Sequence, residues 1–274
     1  MLGQGPANIP SPALLHAEAW AEAHGLIDLQ LSPLGLRAIE ALGPGLGDVV
    51  LDVGCGAGQT LLQLAERVGS EGRVIGVDVA PLLLEIARRR TEPLGQVRLI
   101  QADAQSLDLP AGSADAVFSR FGVMAFGDPV AAFANFRRIL RPSGALAFCC
   151  WRSLQENELD RLPLSAAGVQ ATVDESPFGF ADPEHVRRTL EAAGFGEIVI
   201  RPHDEKVSSG DLDAMTWVLL KVGPLGKIVR KNPALRATAE PLLREALAAL
   251  GDPSRVQLSA SVWIMTARAG AATR

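Results

Sequence analysis

Val50-Leu51-Asp52-Val53-Gly54-Cys55-Gly56-Ala57-Gly58-Gln59-Thr60 reads as a buried strand that runs straight into a glycine-rich turn and then into the start of an apolar helix. The three glycines stand in G-x-G-x-G spacing. Glycine supplies positive φ angles, and its missing Cβ lets a ligand lie against the backbone. The helix that follows offers unpaired N–H groups and the positive end of its dipole to an electron-rich ligand. Parallel α/β sheets bind ligands at the carboxyl ends of their strands. The turn is therefore read as the binding point of a nucleoside-type cofactor.

Two further strands end in acids. Arg73-Val74-Ile75-Gly76-Val77-Asp78 closes on a carboxylate 20 residues beyond Gly58, where a second strand lying beside the first ends. An ionised Asp is an acceptor-only group with two oxygens, suited to both hydroxyls of a ribose. Asp78 can equally cap the helix beginning near Pro81. Leu99-Ile100-Gln101-Ala102-Asp103-Ala104 is another apolar run ended by an acid, followed by Leu107-Asp108-Leu109-Pro110 and a turn at Ala111-Gly112-Ser113. Glycine, acid and acid on one rim are more than packing requires.

With these residues in view, the chain resembles the class I S-adenosylmethionine-dependent methyltransferases, in the small-molecule branch that includes the ubiquinone and menaquinone C-methyltransferases. The carrying segments are Leu51 to Gly58 (LDVGCGAG), Gly76 to Asp78 (GVD), Ala102 to Ala104 (ADA), Ala114 to Phe126 (ADAVFSRFGVMAF) and Phe136 to Phe148 (FRRILRPSGALAF). The likeness covers about residues 45–150 and returns at 187–200. Nicotinamide-binding Rossmann enzymes prefer G-x-G-x-x-G, whereas here the third glycine falls one position early and Thr60 and Leu61 follow.

The resemblance implies a Rossmann-like α/β fold: seven strands, mostly parallel with an antiparallel last strand, and helices on both faces. It implies S-adenosylmethionine as the cofactor. Gly54, Cys55, Gly56 and Gly58 would approach its methionine part and ribose, and Asp52 would attract the methionine ammonium, directly or through water. The other reading of Asp52 is a strand-end acid satisfied by neighbouring N–H groups. Asp78, with Val79 beside it, would hold the ribose hydroxyls. Asp103 would accept from the adenine amino group and the Ala104 N–H would meet a ring nitrogen, although Asp103 also suits an Asx turn. Ser119 and Arg120 would face the amino-acid end of the cofactor and the substrate. An ion pair at the surface is the other reading of Arg120.

Methyl transfer of this kind is an in-line displacement on a sulfonium by a substrate nucleophile, so the protein mainly aligns the partners and excludes water. A general base is needed only if the nucleophile must lose a proton. His24 and His16 lie eight residues apart, on one face of an N-terminal helix, and are the candidates for it. His203 follows the sixth strand, and His185 sits beside Arg187 and Arg188 as on a solvated surface. Trp20, Phe121, Phe126 and Trp151 fall near the expected rim, where they can stack on a planar substrate or fill the core. Lys221, Lys227, Arg230, Lys231 and Arg236 follow one another with no acid among them, which reads as a solvated basic face or a place for an anionic substrate.

Composition agrees with an enzyme of small molecules. Of 274 residues, 48% are hydrophobic, ample for a core, and the net charge of −5 speaks against a nucleic-acid partner. The chain has no tyrosine, which excludes the Asn/Asp-Pro-Pro-Tyr motif of amino-methylating DNA and protein enzymes, and it has no Pro-Cys pair like that of cytosine-C5 enzymes. Three cysteines cannot build a disulfide framework, and adjacent Cys149 and Cys150 on a strand point to opposite faces, as core residues rather than a metal pair. No leader or membrane-spanning run is visible, so a cytoplasmic enzyme is expected, with a homodimer through the helical insert left open.

Four segments are expected: a helical lid over residues 1–44, the cofactor-binding core at 45–152, an insertion lining the substrate pocket at 153–182, and the remainder at 183–274 with a helical insert at 204–253. Hydrophobic periodicity predicts helices at 13–31 and 34–42 broken by Pro33, helices at 58–68, 81–91, 129–140, 183–193 and 239–250, and strands at 48–53, 73–78, 97–101, 115–119, 144–151, 195–201 and 256–267. A methyltransferase is the first reading. A non-catalytic cofactor-binding module and a nicotinamide oxidoreductase are the alternatives.

Overall fold

The computed structural model describes residues 11–169 and 172–270. In chain order its elements are α1 (Pro12–Leu42), β1 (Val49–Val53), α2 (Gln59–Val68), β2 (Arg73–Asp78), α3 (Pro81–Thr91), β3 (Val97–Gln101), β4 (Ala114–Arg120), α4 (Pro129–Ile139), β5 (Leu140–Trp151), α5 (Glu158–Ala166), α6 (Pro183–Ala192), β6 (Phe195–Val207), α7 (Leu212–Lys221), α8 (Gly223–Lys231), α9 (Arg236–Ala248) and β7 (Leu258–Ala269). The strands form one sheet in the order β3-β2-β1-β4-β5-β7-β6. β1 to β5 run parallel, and β7 lies antiparallel between β5 and β6.

Strand periodicity divides the core in two. Consecutive residues of a strand face opposite sides of the sheet. Val50, Phe118 and Cys149 enter a cluster with Leu34 and Ile39 of α1 and Leu61 of α2, while their neighbours Leu51, Val117 and Cys150 enter the other, with Phe133 and Phe136 of α4. Both cysteines are free and buried, and burial pushes the Cys149 thiol up to about 12. Among the described residues no helix is long and apolar enough to cross a membrane.

Two expectations are corrected. Pro33 does not break α1, which is a single helix from its Ser11 cap to Gly43. A helix-interior proline costs about 3 kcal/mol. Against that, Leu31, Leu34, Ala38 and Ile39 on either side of it are all buried, and a buried Leu or Ile contributes roughly 1.5–3 kcal/mol. Tertiary burial wins. β6 runs on to Val207, six residues beyond the predicted end at 201, with Pro202 opposite Trp263. Edge strands tolerate proline because one side of their backbone has no ladder to complete, and β6 is the edge.

The order also fixes where a ligand can enter. From β1 the chain winds outward through β2 and β3, then returns to the other side of β1 as β4. The connections after β1 and β4 therefore lead to opposite sides, and in open α/β sheets ligands bind outside the carboxyl ends of the strands at such a switch point.

Candidate functional site

Gly54 follows β1 and Gly122 follows β4, and at this switch point the two loops touch. A Cβ on Gly54 would stand 2.7 Å from the Gly122 Cα, and one on Gly122 would stand 2.5 Å from the Val53 carbonyl oxygen. Gly58, at the head of α2, is crowded too, though less severely, its Cβ position lying 3.0 Å from the Ala87 Cβ of α3. Gly56 differs: its φ is +52°, and a Cβ there would meet nothing within 4 Å. Two glycines of the motif are thus demanded by neighbouring protein, and the middle one borders open space.

Asp78 clasps this turn. Its Oδ2 accepts the Gly56 N–H at 2.9 Å and its Oδ1 accepts the Ala80 N–H at 2.9 Å. Each carboxylate oxygen has two acceptor positions, so the same group that shapes the turn keeps lone pairs for a ligand. The N–H groups of Gly54 and Cys55 are both committed to the Val77 carbonyl. Cys55 itself is buried and its thiol is pushed up by burial, so its side chain belongs to the core. Val79 is 64% exposed beside the clasp.

Asp52 is fully buried. Its Oδ2 accepts the Thr60 hydroxyl at 2.5 Å and its Oδ1 has no partner among the described residues. Burial pushes its carboxyl up to about 7, opposed by the Thr60 hydrogen bond and the Arg120 charge and reinforced by Asp78. An orphaned carboxylate oxygen beside an open glycine turn is what a cationic amine would satisfy. A ligand carrying an ammonium group and a ribose fits the set Asp52, Gly56 and Asp78.

The remaining rim residues separate. Asp103 is exposed and accepts the Gln105 N–H at 2.9 Å in a short turn, with Ala104 buried behind it. Ser119 is buried, its hydroxyl donating to the Val53 carbonyl at 2.7 Å. Phe121 takes a left-handed φ of +67° and stacks on Trp151, centroids 4.2 Å apart. Such a conformation is unfavourable for a bulky residue and concentrates at functional sites. Trp20 packs against the same core cluster as Phe121 and Trp151. Phe126 goes elsewhere. The short turn Gly122–Ala125 carries it to the other face of the sheet, where it packs on Phe136.

Of the two histidines on α1, His24 has its ring nitrogen Nδ1 at 2.8 Å from the Ala21 carbonyl. A carbonyl only accepts, so Nδ1 carries the proton and Nε2 of the neutral ring is left as an acceptor. His16 stacks obliquely on Trp20, centroids 5.7 Å apart. More than a third of its surface is exposed, yet partial burial and the charges of Arg230 and Lys227 hold its pKa below the ordinary value.

Three residues that brace the glycine turn escape the sequence reading: Asp28, Gln59 and Arg90. Asp28 of α1 pairs with Arg90 of α3 at 2.8 Å and with Arg120 of β4 at 3.8 Å. Gln59 of α2 accepts from Arg120 and donates to the Asp28 carbonyl, while Arg90 also donates to the Ala57 carbonyl inside the glycine turn. Gly35 lets Arg120 lie against α1, since a Cβ there would stand 2.9 Å from its Cδ. Four elements are thus tied around the turn, and Arg120 is an interior ion-pair partner rather than a surface one. Removing one partner of a buried pair costs about 3–5 kcal/mol because the other charge is stranded. Asp28→Ala is expected to lose that much in urea denaturation, against about 1 kcal/mol or less for Arg37→Ala in an exposed pair of the same helix.

A second buried acid lies apart from this site. Asp160 of α5 has only burial acting on it, which pushes its carboxyl up to about 7, and its Oδ1 stands 3.1 Å from where a Cβ on Gly223 would lie, at the head of α8. Among the described residues no three His, Cys, Asp or Glu side chains gather as a metal site.

The family described as a methyltransferase domain matches residues 50–144. The chain is 39% identical over 119 residues to an aklanonic acid methyltransferase of Streptomyces sp. (strain C5), covering 43% of this chain and 54% of that one. It is 32% identical over 207 residues to a nocamycin O-methyltransferase of Saccharothrix syringae, covering 68% and 73%. The chain spans about half the length of the first two curated relatives it matches. In fold it is similar to a phosphoethanolamine N-methyltransferase of Haemonchus contortus, solved with phosphomonomethylethanolamine and S-adenosylhomocysteine (TM-score 0.60, 16% identity, 95% of this chain and 60% of that one).

Proposed function

The chain belongs to the class I S-adenosylmethionine-dependent methyltransferases, and from that premise we propose that it methylates a small, planar acceptor held between the strand ends and α1. The observation that carries this reading is the glycine turn after β1, where Gly56 borders open space, Asp78 clasps the turn with lone pairs to spare, and Asp52 two residues before it holds a buried carboxylate oxygen without a partner among the described residues. The names of the relatives, which act on aklanonic acid and nocamycin, support a small-molecule acceptor.

When bound, the donor supplies an electrophilic methyl group on a sulfonium that departs as a neutral thioether. The work of the protein is placement. Asp78 holds the ribose hydroxyls, Asp52 faces the ammonium, and Asp103 and the Ala104 N–H face the adenine edge. The Phe121–Trp151 stack and Trp20 give a planar acceptor aromatic surfaces to lie against. His24 presents Nε2 as a proton acceptor one helical turn from Asp28, for an acceptor that must be deprotonated. The segments outside the central sheet, 153–169, 172–182 and 208–253 together with the N-terminal half of α1, form the walls.

Calorimetric titration with S-adenosylmethionine and S-adenosylhomocysteine, followed by labelled-methyl transfer to a panel of aromatic polyketide acids and quinones, tests the proposal. Heat of binding without transfer to any acceptor would favour a binding module. Asp78→Ala is expected to stay folded by circular dichroism and to bind S-adenosylhomocysteine about 100-fold or more weakly, since two hydrogen bonds to a charged group are worth roughly 1.5–3 kcal/mol each. Undiminished affinity would remove Asp78 from the cofactor site.

A further inference from the structure

Resting on the methyltransferase reading, we propose that Arg230 anchors an anionic group, a carboxylate or ionised enol, at the far end of an elongated aromatic acceptor. The basic run at 221–236 is not a uniform solvated face. Lys221 pairs with Glu22 of α1, Lys227 pairs with Asp174, and Arg236 pairs with Glu240. The segments outside the described residues contain no Asp or Glu, and among the described ones neither the exposed Lys231 nor Arg230 meets a carboxylate. It is half-buried, and its single described hydrogen bond is one donation to the Lys221 carbonyl. A guanidinium has five N–H donors in a planar fork, so one capping bond to the end of α7 leaves the carboxylate-binding geometry available.

The surroundings match such a ligand. His16 lies close enough to Arg230 and Lys227 for their charges to disfavour its protonation, and its ring meets Trp20. Trp20 buries its indole N–H without a partner among the described residues and packs against the core cluster that also takes in Phe121, Trp151 and Trp217. The Trp20 ring beside His16, an unused buried donor and a half-buried cation without a carboxylate partner describe a site for an aromatic anion. Position sets the length. Asp28 marks the glycine turn, and at 1.5 Å per residue Trp20 and His16 lie about 12 and 18 Å farther along α1. The anion is therefore remote from the transferred methyl group, and Arg230 selects the substrate without touching the reacting atoms.

The test uses naphthalene-2-carboxylate and its neutral isostere naphthalene-2-carboxamide, titrated calorimetrically into the full chain saturated with S-adenosylhomocysteine. The parent is expected to bind the carboxylate about 10- to 100-fold tighter than the amide, the range of one charged hydrogen-bonded pair. Arg230→Gln should abolish that preference while amide and S-adenosylhomocysteine affinities stay unchanged. Lys231→Gln, at an exposed neighbour, should keep it. A parent that binds both probes equally or neither overturns the proposal without any variant, and so does a preference that survives in Arg230→Gln. Should Arg230→Gln not fold, Arg230→Lys takes its place and should retain a reduced preference. Failure of the parent to bind S-adenosylhomocysteine would instead sink the methyltransferase reading, a separate readout of the same titration.

Discussion

Gly54→Ala should lose about 2–5 kcal/mol of stability, whereas Gly56→Ala should keep its fold and lose its ligand. Both residues have positive φ, +73° and +52°, so each substitution carries backbone strain of roughly 1–2 kcal/mol. They differ in what a methyl group meets. At Gly54 it stands 2.7 Å from the Gly122 Cα, and that neighbour is backbone of the next loop, which cannot rotate away. Overpacking of this kind adds about 1–3 kcal/mol, a total visible as a Tm lower by roughly 10 °C in a chain of this size. At Gly56 the methyl group meets nothing of the protein, so all it can displace is a ligand. A drop in S-adenosylmethionine affinity of tenfold or more, with a Tm within a few degrees of the parent, is the expected pair of results. If Gly56→Ala binds as tightly as the parent, the cofactor does not lie against this turn.

The contrast shows how much of the site is legible in sequence. The glycine motif, Asp78 and Asp103 are written in short-range order, because a strand, a turn and a helix start leave a local signature. Sequence alone does not distinguish a glycine that serves packing from one that serves the ligand. Gly54 is made necessary by Gly122, 68 positions later, and the motif looks the same either way. The Asp28 network is non-local for the same reason, joining residues of α1, α2, α3 and β4. One sign of it is readable: Asp28 lies on the stripe of α1 that also holds Ile27, Leu31 and Leu34, and a charge on a buried stripe must have partners. The continuity of α1 across Pro33 and the length of β6 depend on tertiary burial and edge position, which local propensity does not encode.

Asp52→Asn should both stabilise the unliganded protein at pH 8 and abolish the pH dependence of donor binding. In the folded, ligand-free chain burial raises this carboxyl to about 7, from an ordinary value of about 3.8. The native state therefore prefers the protonated form. Its stability, measured against the unfolded chain, is undiminished below the lower value, falls as pH rises from about 4 to about 7, and is flat above that. The full loss is on the order of a few kcal/mol at 1.36 kcal/mol per pK unit. Asn keeps the Thr60 hydrogen bond and carries no charge to desolvate, so its urea midpoint should not decline over that window. Ligand binding runs the other way. The ammonium of the donor favours the ionised carboxylate, so binding below pH 7 must expel a proton. Affinity should rise nearly tenfold per pH unit between about 5 and 7 and level off above. Calorimetry in buffers of different ionisation enthalpy would count the released proton: close to one at pH 6 for the parent, none for Asp52→Asn. A parent that binds the donor at pH 6 without proton release would place the ammonium away from Asp52, and its orphaned oxygen would then need another explanation.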